Sequence, residues 1–389
     1  MTRWLAIAVL SVCFAGCGSD GGASDATGGA GGLSGSGGSG GGGGGKTSVD
    51  KQAVLSCDDR TLVATSGFAH DLATDSLNYY WLGVGPAGIA VLKKAKSGGE
   101  NSIVTEFPGY FSFLTGATDL PVSGDSQFYM DDTVADDADE YIYFSGDTQI
   151  WRVKKDGTEP VQPVSGTDLN ELGPATCNFA RSVLGPDALY TCRQGRLFRM
   201  DRAGGGQAVA VYAAPEGESI DAFAVSKSQL FVNGSFDDAR HLSPILALPL
   251  AGGDPTEYGA MLAGLVPDAL VLMGDTLLFN SLVVLDGGNL ATTSEWASRQ
   301  GTYKLTSATA TPEKISETNL ELVRGVGQDS KFAYAVVGDQ IIERISPDGV
   351  TSTYVDCRDS ADDVRFQELV VDDDGVYIRH EDNFYRFGK

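Results

Sequence analysis

The chain has 389 residues, 51 of them glycine, and its 52 acidic side chains against 28 basic ones give a formal charge of −24. This charge excludes a general nucleic-acid binder, which needs a basic face, and disfavours docking on an anionic membrane surface through charge alone. The glycines cluster instead of recurring at every third position, which excludes a collagen-like chain.

Residues 1–16 predict an export signal. Arg3 precedes the apolar run Trp4–Val12, which is too short for a permanent transmembrane helix but has the length of a secretory hydrophobic region. The following segment, Phe14-Ala15-Gly16-Cys17, resembles the lipobox of bacterial lipoproteins. This resemblance implies lipidation of Cys17 and attachment to a membrane through an N-terminal lipid anchor. An ordinary signal peptide that is cut nearby, or a buried cysteine, is the alternative.

Residues 17–48 predict a lipidated cysteine and a disordered tether. Sixteen of the 28 residues from Gly18 to Gly45 are glycine, and the stretch has no apolar periodicity. Such a coil spans roughly 30 Å on average and about 90 Å when fully extended. Gly18 stands where the familiar inner-membrane retention signal has Asp, which by resemblance favours the outer membrane or cell surface. A lipid-anchored position on the periplasmic face is the alternative.

Residues 49–389 predict an all-β domain built from a recurring unit. From Phe68 onward the apolar pattern is short, has a period of two and is interrupted by Gly, Asp and Pro. Each unit has a second strand centred on an aromatic anchor, and the anchors recur at intervals of 41 to 63 residues. The anchors are Tyr80, Tyr143, Tyr190, Phe231, Phe279, Tyr334 and Tyr377.

A third strand that ends at a Gly-containing turn is the clearer mark of each unit. Ile150–Val153 precedes Asp156-Gly157, and Ile245–Leu248 precedes Gly252-Gly253. Seven units of four short strands predict a seven-bladed β-propeller of four-stranded antiparallel blades. The last unit lacks a fourth strand, so an N-terminal strand, 52–56 or 61–65, should close the ring. A β-sandwich with a second β domain is the alternative architecture.

This blade pattern resembles that of extracytoplasmic propeller proteins with TolB-like or related six- to eight-bladed repeats. The resemblance covers most of Phe68–Lys389 and implies the architecture, but it implies little about activity.

Four cysteines in the exported domain predict two disulfides. Cys177 and Cys192 flank a predicted hairpin, so we expect them to pair with each other. Cys57 and Cys357 then pair by exclusion and would clamp the seam of the ring. Their flanking sequences also look like equivalent positions of adjacent blades, which could lie too far apart for a disulfide, so this second pairing stays open.

A ring of polar residues is predicted near the starts of the innermost strands, where these strands would converge on one mouth of the axial channel. Such a ring could favour a polar ligand or a channel-bound cation such as calcium. Apart from that cation, we expect no cofactor. A solvated rim whose charged residues pair with one another is the competing interpretation. The candidates are His70, Asp71, Asp132, Arg181, Asp221, Asp268, Arg324 and Glu368.

These features together predict a monomeric, lipid-anchored propeller that acts as a non-catalytic binding or interaction module of the cell envelope. Its expected partner is an envelope protein or a glycan, and not a nucleic acid. One alternative is an enzyme acting on carbohydrate or another polar substrate at the axial mouth. Another is a structural envelope protein without a small ligand.

Overall fold

A computed structural model provides the structure of the chain. It describes residues 53–65, 70–108, 128–129, 140–145, 149–173, 182–216, 218, 220, 222–237, 239–281, 298–317, 326–329, 331–346, 348–362 and 364–389. These residues belong to one compact unit, Gln52–Lys389. Within them, no helix has both the length and the apolar character to span a membrane.

The described residues form 29 strands in seven sheets. Strands β1 (Leu55–Ser56) and β2 (Thr61–Thr65) come first in the chain. The remaining strands form blades 1 to 7 in chain order, as follows: β3–β6 (His70–Thr74, Asn78–Gly85, Gly88–Ala95, Ser102–Pro108); β7–β10 (Phe128–Tyr129, Tyr141–Ser145, Ile150–Lys154, Gln162–Pro163); β11–β14 (Ser182–Leu184, Ala188–Arg193, Arg196–Asp201, Val209–Ala213); β15–β18 (Phe223–Val225, Gln229–Asn233, Ile245–Pro249, Thr256–Glu257); β19–β22 (Pro267–Met273, Thr276–Ser281, Gly301–Leu305, Glu313–Ser316); β23–β26 (Val326–Gln328, Ala333–Val337, Ile341–Ile345, Thr351–Asp356); and β27–β29 (Glu368–Val371, Gly375–His380, Asn383–Gly388).

The blades are arranged as a seven-bladed β-propeller, which confirms the predicted fold class. First strands of neighbouring blades contact each other, as in the pairs β3 and β7, β15 and β19, and β23 and β27. Contact between β27 and β3 joins the last blade to the first and closes the ring. Because strands alternate in direction, the turns after the first and third strands of a blade lie on one face. We call the turn after the first strand the inner turn and the turn after the third strand the outer turn.

The N-terminal segment closes the ring in two steps. Strand β2 pairs antiparallel with β29, so Thr61–Thr65 is the outermost strand of blade 7. Of the two segments predicted to close the ring, 61–65 is therefore confirmed and 52–56 is wrong. Part of that first segment nevertheless forms β1, which adds to the edge of blade 6. Strand β1 runs parallel to β26, with Leu55 opposite Val355.

A disulfide lies immediately after this parallel pair. Cys57 and Cys357 are bonded, with their Cα atoms 5.0 Å apart. The interpretation that they occupy equivalent positions of adjacent blades is wrong, because β1 pairs directly with β26 within one sheet. Cys192 is also disulfide-bonded, whereas Cys177 lies outside the described residues, so their pairing stays a prediction. A 2.7 Å ion pair between Arg60 and Asp362 adds a polar contact near the seam.

The aromatic anchors fill the core between the blades. All seven are at least 96% buried, and each lies on the second strand of its blade, as predicted. Large aromatic side chains of this kind contribute roughly 1.5–3 kcal/mol each when fully buried. At the seam of the ring, Val336 and Tyr354 of blade 6 share one apolar cluster with Phe387 of blade 7. Burial between neighbouring blades thus holds the ring together.

Glycine in the outer turns allows neighbouring blades to approach closely. Gly157 has φ of +71°, and a Cβ atom there would lie 2.6 Å from the carbonyl oxygen of Val104 on blade 1. Gly252 has φ of +87°, and its Cβ would lie 2.8 Å from the carbonyl oxygen of Val211 on blade 3. Both the backbone conformation and the contact require glycine. This explains why a Gly-containing turn follows the third strand.

Candidate functional site

The predicted axial ring is described only in part. Asp268 is the second residue of β19, and Glu368 is the first residue of β27, so both lie where the prediction places them along the chain. The backbones of His70 and Asp71 begin β3, but their side chains lie outside what is described. The remaining candidates lie outside the described residues altogether, and they are Asp132, Arg181, Asp221 and Arg324. Convergence of the eight residues on one mouth stays a prediction.

Glu368 connects two blades at this end of the propeller. Its Oε1 accepts a hydrogen bond of 2.8 Å from the backbone N–H of Leu72, on the first strand of blade 1. Its Oε2 lies 3.5 Å from Nε of Arg379 on the neighbouring strand of its own blade. This carboxylate therefore takes part in blade-to-blade contact and in a charge pair, whatever else it binds.

On the opposite face, three inner turns share the same Asp–Tyr arrangement. Asp75, Asp329 and Asp372 each stand five residues before the aromatic anchor of their blade. In blade 6, Asp329 Oδ1 accepts hydrogen bonds from two backbone N–H groups of its turn at 2.6 and 2.7 Å. Its Oδ2 accepts a 3.0 Å hydrogen bond from the hydroxyl of Tyr334. The aspartate thus shapes the turn and satisfies the hydroxyl of a largely buried tyrosine.

A lysine from the following blade approaches each of these aspartates. It is always the residue directly after the third strand of its blade. We call the resulting contacts the lysine bridges. Their nitrogen–oxygen distances are 2.6 Å for Lys96–Asp372, 2.6 Å for Lys389–Asp329 and 3.5 Å for Lys155–Asp75. The bridges link blades 1 and 7, 7 and 6, and 2 and 1.

The bridges and the hydrogen bonds of the turns together hold these carboxylates in the ionised state. Burial raises the pKa of Asp372, but hydrogen bonds from Lys96, the charge of Lys96 and the turn amides outweigh it, so the pKa is lowered. Burial also raises the pKa of Asp329, but its bond to Lys389 and the turn amides outweigh burial and lower it. For Asp75, burial is outweighed by the amides of Leu77 and Asn78 and by the Tyr80 hydroxyl, with a smaller contribution from the charge of Lys155, so its pKa is lowered. Burial lowers the pKa of Lys96, but its bonds to Asp372 outweigh burial and raise it. These groups therefore keep their charges at neutral pH.

The described residues also form a polar cleft between blades 1 and 2 on this inner-turn face. Its volume is about 270 Å³, which is near the lower end for small-ligand sites. Side chains from the inner turn and the second and third strands of blade 1 meet the residue before β8 and the end of β9 with its outer turn in blade 2. The lining residues are Asp75, Asn78, Tyr80, Lys93, Glu140, Lys154, Lys155 and Asp156.

Hydrogen bonds within the protein already engage the carboxylates of the cleft. Asp75 accepts from the backbone N–H groups of Leu77 and Asn78 at 2.9 and 2.7 Å, and from the hydroxyl of Tyr80 at 2.9 Å. Asp156 Oδ1 accepts from the backbone N–H and the hydroxyl of Thr158 at 2.9 and 2.6 Å. The acceptors of the cleft are therefore largely satisfied.

The lysines of the cleft are less fully engaged. Lys93 Nζ donates to the backbone carbonyl of Lys155 at 3.2 Å, which is its one described hydrogen bond. Lys154 Nζ lies 3.0 Å from the carboxylate of Glu140. Since each ammonium carries three N–H donors, the cleft offers more donors than its own acceptors use.

The patterns in the sequence did not indicate this cleft or its lysines. The signal that could have found them is the pairing of two recurring positions, an Asp five residues before the anchor tyrosine and a Lys directly after a third strand. These positions are far apart in sequence, as Asp75 and Lys155 show, because they lie in different blades. Within the described parts of the chain, no three His, Cys, Asp or Glu side chains are grouped to hold a metal ion.

Comparison with solved structures supports the fold. PorZ, a bacterial surface component of the type-IX secretion system of Porphyromonas gingivalis, superimposes with a TM-score of 0.52 and 11% identity over 84% of this chain. This chain spans 37% of the length of PorZ. Virginiamycin B lyase from Staphylococcus aureus gives a TM-score of 0.49 and 12% identity, with coverage of 84% of this chain and 97% of the lyase. No protein-family model and no curated protein sequence matches the chain. The likeness to PorZ shows a β-propeller and nothing about activity.

Proposed function

We propose that the protein is a lipid-anchored, extracytoplasmic β-propeller that acts as a non-catalytic binding module of the cell envelope. The observation that carries the proposal is the charged cleft between blades 1 and 2. Its most buried carboxylate, that of Asp75, has a lowered pKa and is already hydrogen-bonded within its own turn. A general base that works near neutral pH needs a pKa close to 7, so Asp75 is suited to positioning charge and not to moving protons.

The anchor in this proposal is supported by the sequence of the N-terminal region. A short apolar run, the small residues before Cys17 and the Gly-rich stretch that follows form the order expected for a lipid-tethered domain. Such a tether would hold the propeller at the outer membrane or cell surface and leave its faces accessible to partners.

Exchange of Cys17 tests the anchor. The wild-type chain should partition into the detergent phase of cell extracts and incorporate a labelled fatty acid, whereas Cys17→Ser should do neither. Equal partitioning of the two chains would refute lipid anchoring at this residue.

Site-specific photo-crosslinking tests the binding role. A photoreactive amino acid at Glu140, which is 63% exposed at the rim of the cleft, should capture a defined envelope component in cells that carry the full chain. The same group at Lys227, an exposed residue in the inner turn of blade 4, is the matched control and should not capture it. Equal capture at both positions, or chemical conversion of the captured ligand by the purified protein, would refute a non-catalytic binding site here.

A further inference from the structure

One of the three lysine bridges is more open than the other two. The bridges Lys96–Asp372 and Lys389–Asp329 are direct hydrogen bonds of 2.6 Å, whereas Lys155 lies 3.5 Å from Asp75. The three aspartates have the same place in their blades, and the three lysines follow third strands. The cleft lies at the open bridge. The ammonium of Lys155 is therefore held less closely by its aspartate than the ammonium groups of the other two bridges are.

We propose that this cleft binds a single oxyanion, the carboxylate or phosphate group of a small ligand, through Lys93 and Lys155. The inference rests on the proposed binding function and names the chemistry of the ligand. Both lysines have N–H donors beyond those that the described acceptors use, and hydrogen bonds from ammonium to an anionic oxygen are roughly twice as strong as neutral ones.

Lys93 is the residue that favours an anion over a neutral ligand. Its described hydrogen bond is to a backbone carbonyl, which does not neutralise its charge. Lys154, in contrast, is paired with Glu140 at 3.0 Å. An anionic oxygen in the cleft would give the Lys93 ammonium a counter-charge and would take up donors of Lys155 that its 3.5 Å contact with Asp75 leaves available.

The charge of the whole protein limits the size of the anionic group. At a formal charge of −24, the molecule repels extended polyanions. A single carboxylate or phosphate on an otherwise neutral carrier avoids most of this repulsion. A cleft of about 270 Å³ can hold one sugar-sized group.

Titration calorimetry on the full mature chain in detergent tests the proposal with three probes: sodium glucuronate, glucose and inorganic phosphate. Glucuronate and glucose differ by one carboxylate, so their comparison isolates the charge. We expect glucuronate, phosphate or both to bind, and glucose to bind at least about tenfold more weakly. Binding of glucuronate alone identifies a carboxylate ligand, and binding of phosphate alone identifies a phosphate ligand. Equal affinities for glucose and glucuronate, or no heat from either anion up to about 10 mM, would overturn the proposal.

Three variants locate the binding. Lys93→Gln should lower the affinity for the anion about tenfold or more, and the affinity of Lys93→Arg should stay within about threefold of wild type. The control Lys227→Gln should not change the affinity. The thermal melting of each variant shows that it is folded. Unchanged affinity in Lys93→Gln would reject the site. If the anions fail to bind while crosslinking at Glu140 captures a component, the inference on the ligand is wrong and the binding function stands.

Discussion

Replacement of Asp372 by Asn should weaken the junction between blades 7 and 1. Asp372 accepts hydrogen bonds from the N–H groups of Asp374 and Gly375 at 2.8 and 3.0 Å, from the hydroxyl of Tyr377 at 3.2 Å, and from Lys96 at 2.6 Å. Asparagine keeps one oxygen acceptor and the size of the side chain. The exchange therefore removes mainly the negative charge that faces Lys96.

The size of the effect follows from the burial of this pair. Side chains of Lys96 and Asp372 are 12% and 18% exposed, so water replaces their contact poorly. A hydrogen bond between charged groups contributes about 1.5–3 kcal/mol, and an ammonium left without its main partner adds a desolvation cost. The carboxylate of Asp374, whose Oδ2 lies 3.2 Å from Nζ of Lys96, recovers part of this loss. We expect Asp372→Asn to lower the free energy of unfolding by about 2 kcal/mol.

Urea denaturation of Asp372→Asn, Lys96→Met and the double variant measures the effect. The double-mutant cycle should give a coupling energy of about 1–2 kcal/mol. Asp275→Asn is the control, because Asp275 is an exposed residue in the inner turn of blade 5, and its loss should cost less than about 0.5 kcal/mol. A coupling energy near zero, or equal losses at Asp372 and Asp275, would refute the view that the lysine bridges join the blades.

Three further predictions concern the ring as a whole. Burial raises the pKa of Asp329, but hydrogen bonds outweigh it and hold the pKa below 3.8. The contribution of this carboxylate to stability is therefore present above pH 3.8 and is lost as the pH falls through the lowered pKa. The free energy of unfolding should thus be less acid-sensitive in Asp329→Asn than in wild type, and identical pH profiles would contradict this. Because the Cys57–Cys357 disulfide closes a separation of 300 residues, exchange of both cysteines for Ser should cost about 3–5 kcal/mol, and an unchanged denaturation midpoint would argue against it. Gly252→Ala should lower the melting temperature more than Gly205→Ala, since both have positive φ but a Cβ atom meets neighbouring atoms only at Gly252; equal melting temperatures would show that the close approach is unimportant.

The periodic features of the fold could be predicted because each blade repeats the same physical problem. A twisted sheet must bury both faces against its neighbours, and this requirement places an aromatic anchor such as Tyr190 in the second strand. The close approach of outer turns requires glycine, as at Gly157 and Gly252. The anchor recurs in every unit and the outer-turn glycine in most of them, so they leave a repeating mark in the sequence.

Features that occur once were harder to predict. Strand β1 is only two residues long and pairs in parallel, so Leu55 and Ser56 carried no period that identified their partner. The interpretation of Cys57 and Cys357 as equivalent positions failed for this reason. The cleft was not predicted, because the approach of Lys155 to Asp75 depends on how two blades pack and not on spacing within either blade.

The order of bonds along the N-terminal segment decides how the ring carries a mechanical load. A force that pulls on the chain ahead of Ala53 reaches the disulfide at Cys57 before it reaches Thr61, the first residue of the closing strand. The covalent bond passes part of the force to Cys357 in blade 6, so less of it reaches strand β2. Pulling experiments with optical tweezers should therefore show early unravelling of blade 7 only after the disulfide is reduced. The same rupture force with the disulfide intact and reduced would exclude this path for the force. While the disulfide is intact, the hydrogen bonds that close the propeller carry only part of a force applied ahead of Ala53.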